Sequence, residues 1–500
     1  MLREGWCLST TTMLHELLDT TRLYMTSRMR MFNNSTQQDH SSCTKVECYA
    51  NQVDEKTYET KHTQQCQGCG HITVDAEKVA AILRQGQIPL VAIVESSSLH
   101  PDTQLEFVTD RPYVALSHAW AQGLGNAHTN SLPECQLSKI KGMFSQLPPT
   151  ASAPNSSKLA IWVDTLRIPV ADSLKDVRKL AITRLATTYQ EAEHVLVLET
   201  GLMSSTRSAS RIEKCSRLLS SAWLRRLWTY QEALLSKNGN HGDKLQIQFS
   251  DGAIHFENLL RSHHSLCHSE KAAQTLFMAL PLTGNTSSRL STLTRTLQYR
   301  TTSKHEDETI CLTSVLGHDV HKITAAKTDE RMAIFYSFID CVPRNMIFRT
   351  FPASKLLGTV GRRNHLQQSR SIATAHSLEA LRDENGVYVD LVTLEFCSIT
   401  PPTWPVWHFV MTDGKQHWSL SPAESKAGRN EEEWKKITME WAAFDKSVVE
   451  AVRGAVILNE DRVTGLRTLV SILREEGETR FCRFLALARV FVLTTTLGRV

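Results

Sequence analysis

Trp228 and Glu232 stand four positions apart in the stretch Ala222 to Leu235, whose pattern is helical, so they fall one turn apart and become neighbours. A carboxylate beside an indole suits a nucleotide site. Trp228 or Trp120 can stack on a ring, and Arg167 or Arg226 can pair with phosphate. Trp223, Leu227, Tyr230 and Leu234 recur at spacings of four, three and four and form the face that anchors this helix, leaving Arg225, Trp228, Thr229 and Glu232 opposite. The plainer alternative makes Glu232 and Arg225 a solvated face and the tryptophans core residues.

Ser117, His118 and Asp164 have the types of a hydrolase triad, but adjacent residues of a strand point to opposite faces, so Ser117 and His118 do not pair. No Gly-x-Ser-x-Gly elbow surrounds Ser117 either. His118 instead reads as a hydrogen-bonded residue capping a strand end. Gly123 and Gly125, with Asn126, let backbone N–H groups approach a phosphate, or else simply make a turn.

A second chemistry lies upstream. Cys43 and Cys48, followed by His62, Cys66 and Cys69, supply five soft ligands in 27 residues, and the two-residue gap in Cys66-x2-Cys69 favours chelation by one loop. Residues 33–65 are polar and have little core of their own, so a structural zinc ion can be what orders them. Ordinary reduced thiols are the alternative, and His71 is a substitute ligand.

Elements must bring these residues together. YVALSHAW (113–120), LAIWVDTL (159–166) and HVLVLE (194–199) are short, apolar, β-branched runs typical of strands covered on both faces. Between the last two, Leu174, Val177, Ala181, Leu185, Tyr189 and Ala192 recur at helical spacing over Ser173 to Glu193, with Ser173 and Asp176 resembling a capping box. Strand, helix, strand implies a parallel right-handed crossover. A helix is also expected around Lys139 to Gln146, so the prediction is an α/β fold with a small doubly wound parallel sheet. Ligands then gather outside the carboxyl ends of the strands, where Ser117, His118, Trp120, Asp164 and Arg167 fall. Further elements are expected as a helix at Ala76 to Gln85, an apolar run at 88–96, strands at 245–251, 404–411 and 455–460, and helices at Thr309 to Leu316 and Asp329 to Cys341.

Five hundred residues exceed one ordinary core. The Ser, Thr and Arg-rich stretch 283–303 is the expected linker or long loop. It separates an α/β domain (111–282), preceded by a helical and Cys-rich region (1–110), from an α+β region (304–500). With 56 basic against 52 acidic residues the net charge is only +4, which gives no case for nucleic acid or a membrane surface. No export signal is expected, because His15, Glu16 and Asp19 break up the start. Nor is a membrane span, since Phe484 to Leu497 is 14 residues long and contains Arg489. A cytoplasmic protein with reduced thiols is the resulting expectation.

Three blocks taken together, RPYVALSHAW (111–120), IWVDTLRIPV (161–170) and SSAWLRRLWTYQEAL (220–234), resemble the fungal heterokaryon-incompatibility domain in order and spacing. GLGNAHTNSLPECQL (123–137) and AITRLATTYQEAEHVLVLE (181–199) are similar to a subgroup of it, and the resemblance continues into HTQQCQGCGHI (62–72) and RTTSKHEDETICLTSVLG (300–317). Arg167 departs from the pattern, standing where the family usually has cysteine. The resemblance implies self/non-self recognition leading to programmed cell death, with other proteins of an incompatibility or signalling pathway as partners and homo-oligomerisation on activation. It also implies a fold similar to Toll/interleukin-1 receptor domains, which is flavodoxin-like, with N- and C-terminal α+β additions. Some of those domains hydrolyse NAD with a glutamate placed after a tryptophan, which here corresponds to Glu232. A nearby carboxylate stabilises the oxocarbenium-like transition state as nicotinamide leaves. The alternative is a catalytically silent recognition or scaffold module that transmits a death signal by assembly.

Overall fold

The computed structural model describes residues 1–29, 39–45, 47–95, 103–150, 159–237, 244–260, single positions between 290 and 299, 300–304, 306–339 and, from 341 onward, the strands alone. Two compact units result: residues 1–283 with 292–335, and residues 284–291 with 336–500.

The first unit is built on a seven-stranded sheet of order β3-β2-β6-β4-β7-β8-β9. Its strands are β2 (Leu90–Glu95), β3 (Thr103–Val108), β4 (Tyr113–His118), β6 (Ala160–Trp162), β7 (His194–Leu198), β8 (Leu245–Phe249) and β9 (Gly252–His255). A separate antiparallel pair joins β1 (His71–Thr73) to β5 (Ser131–Pro133). β4 pairs in parallel with β6 and β7, and β7 with β8. Taken in chain order, the four parallel strands sit second, first, third, fourth, so the winding direction reverses between β4 and β7.

β4, β7 and β8 are buried along their whole length, because helices cover both faces. Tyr113, Ala115, Val195, Val197, Leu245 and Ile247 meet the helices Leu8–Leu17, Leu185–Glu191, Arg211–Ser220 and Leu227–Lys237 on one side. Val114, Leu116, Ile161, Leu196 and Leu198 meet Ala76–Arg84, Glu134–Phe144 and Lys175–Thr183 on the other. The alternation follows from the two-residue period of a strand.

The sheet is mixed rather than wholly parallel. β2, β3 and β9 run antiparallel to their neighbours, and β9 must do so because only Ser250 and Asp251 separate it from β8. β2 and β3, from the region 1–110 expected to precede the α/β domain, complete the edge of this sheet. The crossover before β7 is two helices, Lys175–Thr183 and Leu185–Glu191, meeting at Arg184. The expected capping box is not formed: the chain enters through a 3-10 turn at Asp172–Leu174, which takes in Ser173, and Leu174 stands at the cap with no side-chain bond. LAIWVDTL divides into β6 and a helical turn, Asp164–Arg167.

The second unit contains a three-stranded sheet, β10 (Cys341–Pro343), β11 (Glu379–Asp383) and β12 (Gly386–Tyr388). It also contains an antiparallel seven-stranded sheet of β13 (Val392–Phe396), β14 (Ser398–Thr400), β15 (Phe409–Thr412), β16 (His417–Pro422), β17 (Gly454–Leu458), β18 (Gly465–Glu476) and β19 (Thr479–Val492). The strands expected at 404–411 and 455–460 correspond to β15 and β17, with residues 404–408 outside the described ones.

Candidate functional site

The carboxyl end of β4 carries two polar assemblies, one on each of two consecutive residues. Ser117, on the face of Tyr113 and Ala115, is fully buried; its Oγ accepts from Trp223 Nε1 at 2.7 Å and donates to Glu232 Oε2 at 2.5 Å. The Tyr189 hydroxyl donates to the Leu116 carbonyl at 2.9 Å and also reaches Glu232. His118 points the other way, and its Nε2 bonds Asp164 Oδ1 at 2.9 Å. Asp164 Oδ2 accepts from Trp120 Nε1 at 2.7 Å, and the Thr165 N–H donates to Oδ1 at 2.7 Å. As the strand geometry requires, Ser117 and His118 make no pair, so no hydrolase triad forms.

These environments separate the two carboxyl groups. Burial pushes Glu232 up to about 8 and the Asp164 charge adds to it, while the Ser117 bond and His118 oppose the rise. Burial acts upward on Asp164 too, but His118, Trp120 and the Thr165 amide outweigh it and hold Asp164 below the usual carboxylate range. Burial would lower His118; Asp164 overcomes that and raises it. One neutral acid next to one carboxylate is how a site assigns donor and acceptor roles at neutral pH.

Glu232 reaches this place because the helix expected over Ala222 to Leu235 is broken. Ala222–Arg225 and Leu227–Lys237 are separate helices, and Arg226 between them is extended (φ −86°, ψ 140°). Arg226 forms a parallel bridge with Thr301: Thr301 N–H donates to the Arg225 carbonyl at 2.7 Å, and Leu227 N–H to the Thr301 carbonyl at 3.0 Å. The break puts Trp223 out of phase with Leu227 and Tyr230, so Trp223 joins Glu232 at Ser117 instead of anchoring an opposite face. Arg226 Nη1 donates to Ser303 Oγ at 2.8 Å, and its guanidinium, lowered by burial, feels the opposing charges of Asp307 and Glu232. Trp228 Nε1 donates to Asp307 Oδ2 at 3.0 Å. The block RTTSKHEDETICL thus supplies the backing of the Glu232 helix. Trp223, Tyr189, Tyr58 and Asp307 are site residues not expected from the sequence; Trp223, Tyr189 and Asp307 lie in the blocks 220–234, 181–199 and 300–317 that carry the resemblance, while Tyr58 has no such signal.

Gly123 and Gly125 do not form a phosphate cradle in this structure. The Gly123 N–H is bonded to the Trp120 carbonyl at 2.8 Å and the Gly125 N–H to the Tyr58 hydroxyl at 3.1 Å. A Cβ at Gly123, whose φ is +108°, would lie 2.6 Å from Lys61 Cβ, and one at Gly125 2.5 Å from the Trp120 ring, so both glycines serve close packing. Arg167 also lies apart. It is 1% exposed, its guanidinium sits 4.8 Å from the Phe107 ring centre, and none of its nitrogens has a hydrogen-bond partner among the described residues. Burial pulls it down to about 9.

The soft ligands fall into two groups of four rather than one of five: Cys7, His40, Cys43 and Cys48, and His62, Cys66, Cys69 and Cys135. In each, the four ligand atoms lie within 4.8 Å of one another, an arrangement that can hold a metal ion. His71 is in neither; its Nδ1 bonds Ser131 Oγ at 3.2 Å. Cys135 arrives through the β1–β5 register: His71 opposes Pro133, Glu134 N–H donates to the Gly70 carbonyl at 3.0 Å, and one step further the Cys135 N–H donates to Cys69 Sγ at 3.4 Å. Cys7 arrives as the residue preceding the helix Leu8–Leu17.

Comparison of the chain with protein-family models, curated proteins and solved structures found no match. Among the described residues, no helix is long and apolar enough to cross a membrane.

Proposed function

We propose that this chain is a heterokaryon-incompatibility-type effector that acts in self/non-self recognition and programmed cell death by hydrolysing NAD. One observation supports the reading above the others: Ser117, Trp223 and Glu232, drawn from distant blocks, meet at the carboxyl end of β4 beside Asp164 and Trp120. That end lies where the winding reverses, the place where doubly wound sheets bind nucleotides. The second-first-third-fourth order of the parallel strands also fits a flavodoxin-like sheet of the Toll/interleukin-1 receptor kind.

In the proposed reaction the bond between nicotinamide and ribose breaks, water adds to the ribose carbon, and nicotinamide, ADP-ribose and a proton are released. Nicotinamide leaves neutral, so no strong general acid is needed. Asp164, held ionised, and Glu232, once ionised, stabilise positive charge on the sugar; Trp120 stacks on a ring, and Arg226 faces phosphate. Because Glu232 ionises at about 8, kcat/KM rises with pH up to that value. The protein acts in the cytoplasm with partners of the same pathway, assembling as it is activated, and its Cys and His ligands take zinc in a structural role.

The alternative is a scaffold that transmits the signal without catalysis. In its favour, Ser117 is wholly buried and Glu232 is already bonded inside the protein. Nicotinamide release by purified protein, alone and assembled, separates the two. Release that Glu232→Gln abolishes supports the enzyme; no release in any state, or equal release by the variant, rejects it.

A further inference from the structure

We propose that the chain binds two zinc ions, one in each Cys3His group, and that the two ions pin residues 49–61 as a strap over the polar end of β4. The coordination geometry is already present in the ligand atoms. His62 Nδ1 lies 3.5, 3.4 and 3.6 Å from the sulfurs of Cys66, Cys69 and Cys135. A ring nitrogen offers one proton or one lone pair, so hydrogen bonding cannot account for three sulfurs around it. A tetrahedral zinc ion can: bonds of about 2.3 Å to sulfur and about 2.0–2.1 Å to nitrogen place S and N about 3.6 Å apart, and two sulfurs about 3.8 Å apart.

The other group has the same edges. His40 Nδ1 is 3.5 Å from Cys43 Sγ and 3.7 Å from Cys48 Sγ, and the two sulfurs are 3.8 Å apart, nearly twice a disulfide bond.

Each group also has supporting contacts. Amide N–H groups of Gly68, Thr63 and Cys135 donate to Cys66, Cys135 and Cys69 sulfurs at 3.4, 3.3 and 3.4 Å, as the outer shell of a thiolate site does. Gly68, at φ +114°, permits the first of these turns. Beside the other group sits Arg225, 2% exposed; its guanidinium bonds Met13 and Ser9 and no carboxylate among the described residues, and the charges that act on it are led by Cys48 and Cys7. Zinc with three thiolates and a neutral imidazole carries one net negative charge, the complement this guanidinium lacks.

The strap lies between the groups in sequence and touches both flanks of the site. Toward Arg226, Val53 N–H donates to Ser303 Oγ at 3.3 Å and Glu55 pairs with Lys304 at 2.7 Å. Toward Asp164, the Tyr58 hydroxyl donates to the Trp120 carbonyl at 2.5 Å, Thr60 Oγ1 to the Gly125 carbonyl at 2.6 Å, and Lys61 N–H to the Gly123 carbonyl at 2.9 Å. Burial, with the Asp164 charge adding, pushes Tyr58 up to about 12. The strap has no helix or strand of its own, so its two anchored ends hold it.

The test is the zinc content of the full chain purified without chelator, followed by hydrogen exchange before and after metal removal. Two zinc ions per chain are expected, with one left in Cys7→Ser and one in Cys135→Ser. In wild-type protein, chelation should speed exchange across 49–61 at least tenfold while β4 and β7 stay protected. One ion or none in the wild type, or disulfides among these cysteines, overturns the two centres. Unchanged exchange at 49–61 after both ions leave overturns the strap. Neither measurement depends on catalysis, so each can fail separately from the NAD reading, and the wild-type measurements stand even where a variant does not fold.

Discussion

Two regions of the first unit hold polar groups in place by opposite means. At the end of β4, Ser117, His118, Asp164 and Glu232 are fixed by a surrounding apolar core on both faces of the sheet. Residues 39–70 have no helix or strand among the described residues; hydrogen bonds from Val53, Tyr58, Thr60 and Lys61 tie down the middle, and two groups of cysteine and histidine lie at its ends. The difference teaches that burial positions a site and shifts its pKa values, whereas a segment with almost no core needs another tie, which the proposed metal ligation would supply. The first should resist chelators and respond to pH through Glu232; the second should respond to chelators, and to acid as its thiolate and imidazole ligands take up protons.

The largest effect expected from breaking this contrast is metal removal. A structural zinc site in small peptides is worth on the order of 10 kcal/mol of folding free energy at neutral pH. Loss of both ions should therefore unfold 39–70 while the sheet persists, which far-ultraviolet circular dichroism with limited proteolysis would show as cleavage confined to that stretch. Global unfolding on chelation would erase the distinction between the regions.

Next is Ser117→Ala, which removes only the hydroxyl and so takes one hydrogen bond from the buried Trp223 Nε1 and one from the Glu232 carboxyl. Denaturant melts should show a loss of about 2–4 kcal/mol. A change under about 0.5 kcal/mol would mean that the network contributes little to the core.

The pH response follows from Glu232, whose folded value of about 8 exceeds its ordinary 4.5. Its contribution to stability is full below the ordinary value and is lost as pH rises through about 8, because the unfolded chain releases the proton first. The slope has an upper limit of about 1.4 kcal/mol per pH unit. With Glu232 partly exposed and coupled to Asp164, the loss between pH 5 and pH 8 should be nearer about 2 kcal/mol in all. Glu232→Gln should flatten that slope, and thermal melts across the range measure it. A slope equal to the wild type's would locate the titration elsewhere.

The smallest effect should come from Arg167→Met. A buried guanidinium without hydrogen bonds destabilises the fold, so an apolar side chain of similar length against Phe107 should add about 1 kcal/mol. A loss of stability would show that the cation over the ring contributes more than its desolvation costs.

Much of the scaffold was legible because it rests on local patterning. β4, β7 and β8 were expected close to where they lie, as was the helix Ala76–Arg84, while the helix expected around Lys139 to Gln146 starts five residues earlier, at Glu134. The grouping of Ser117, Asp164 and Trp120 followed from placing strand ends at one rim. The role given to Trp223 was not right, since helical phase was carried through a point where the helix stops. That stop is Arg226 pairing with Thr301, a contact that no property of residues 222–235 encodes. Arg167 was likewise placed at the rim by position alone, while its turn directs it toward Phe107.

The candidate metal ligands divide the same way. The spacing Cys66-x2-Cys69 marked one loop as a chelator, since both thiols of a short turn converge on one ion. Cys135 was recruited only by the β1–β5 register, and Cys7 only by where the first helix docks. The sequence by itself determined the buried strands β4, β7 and β8, the helix Ala76–Arg84, and that neighbours on β4 must face apart, because each depends on the backbone geometry of a few consecutive residues. Tertiary structure alone decided that Glu232 meets Ser117, that the five expected ligands become two groups of four, and that Gly123 and Gly125 close on Lys61 and Trp120. Those outcomes depend on how distant surfaces pack, and packing is a property of the whole chain.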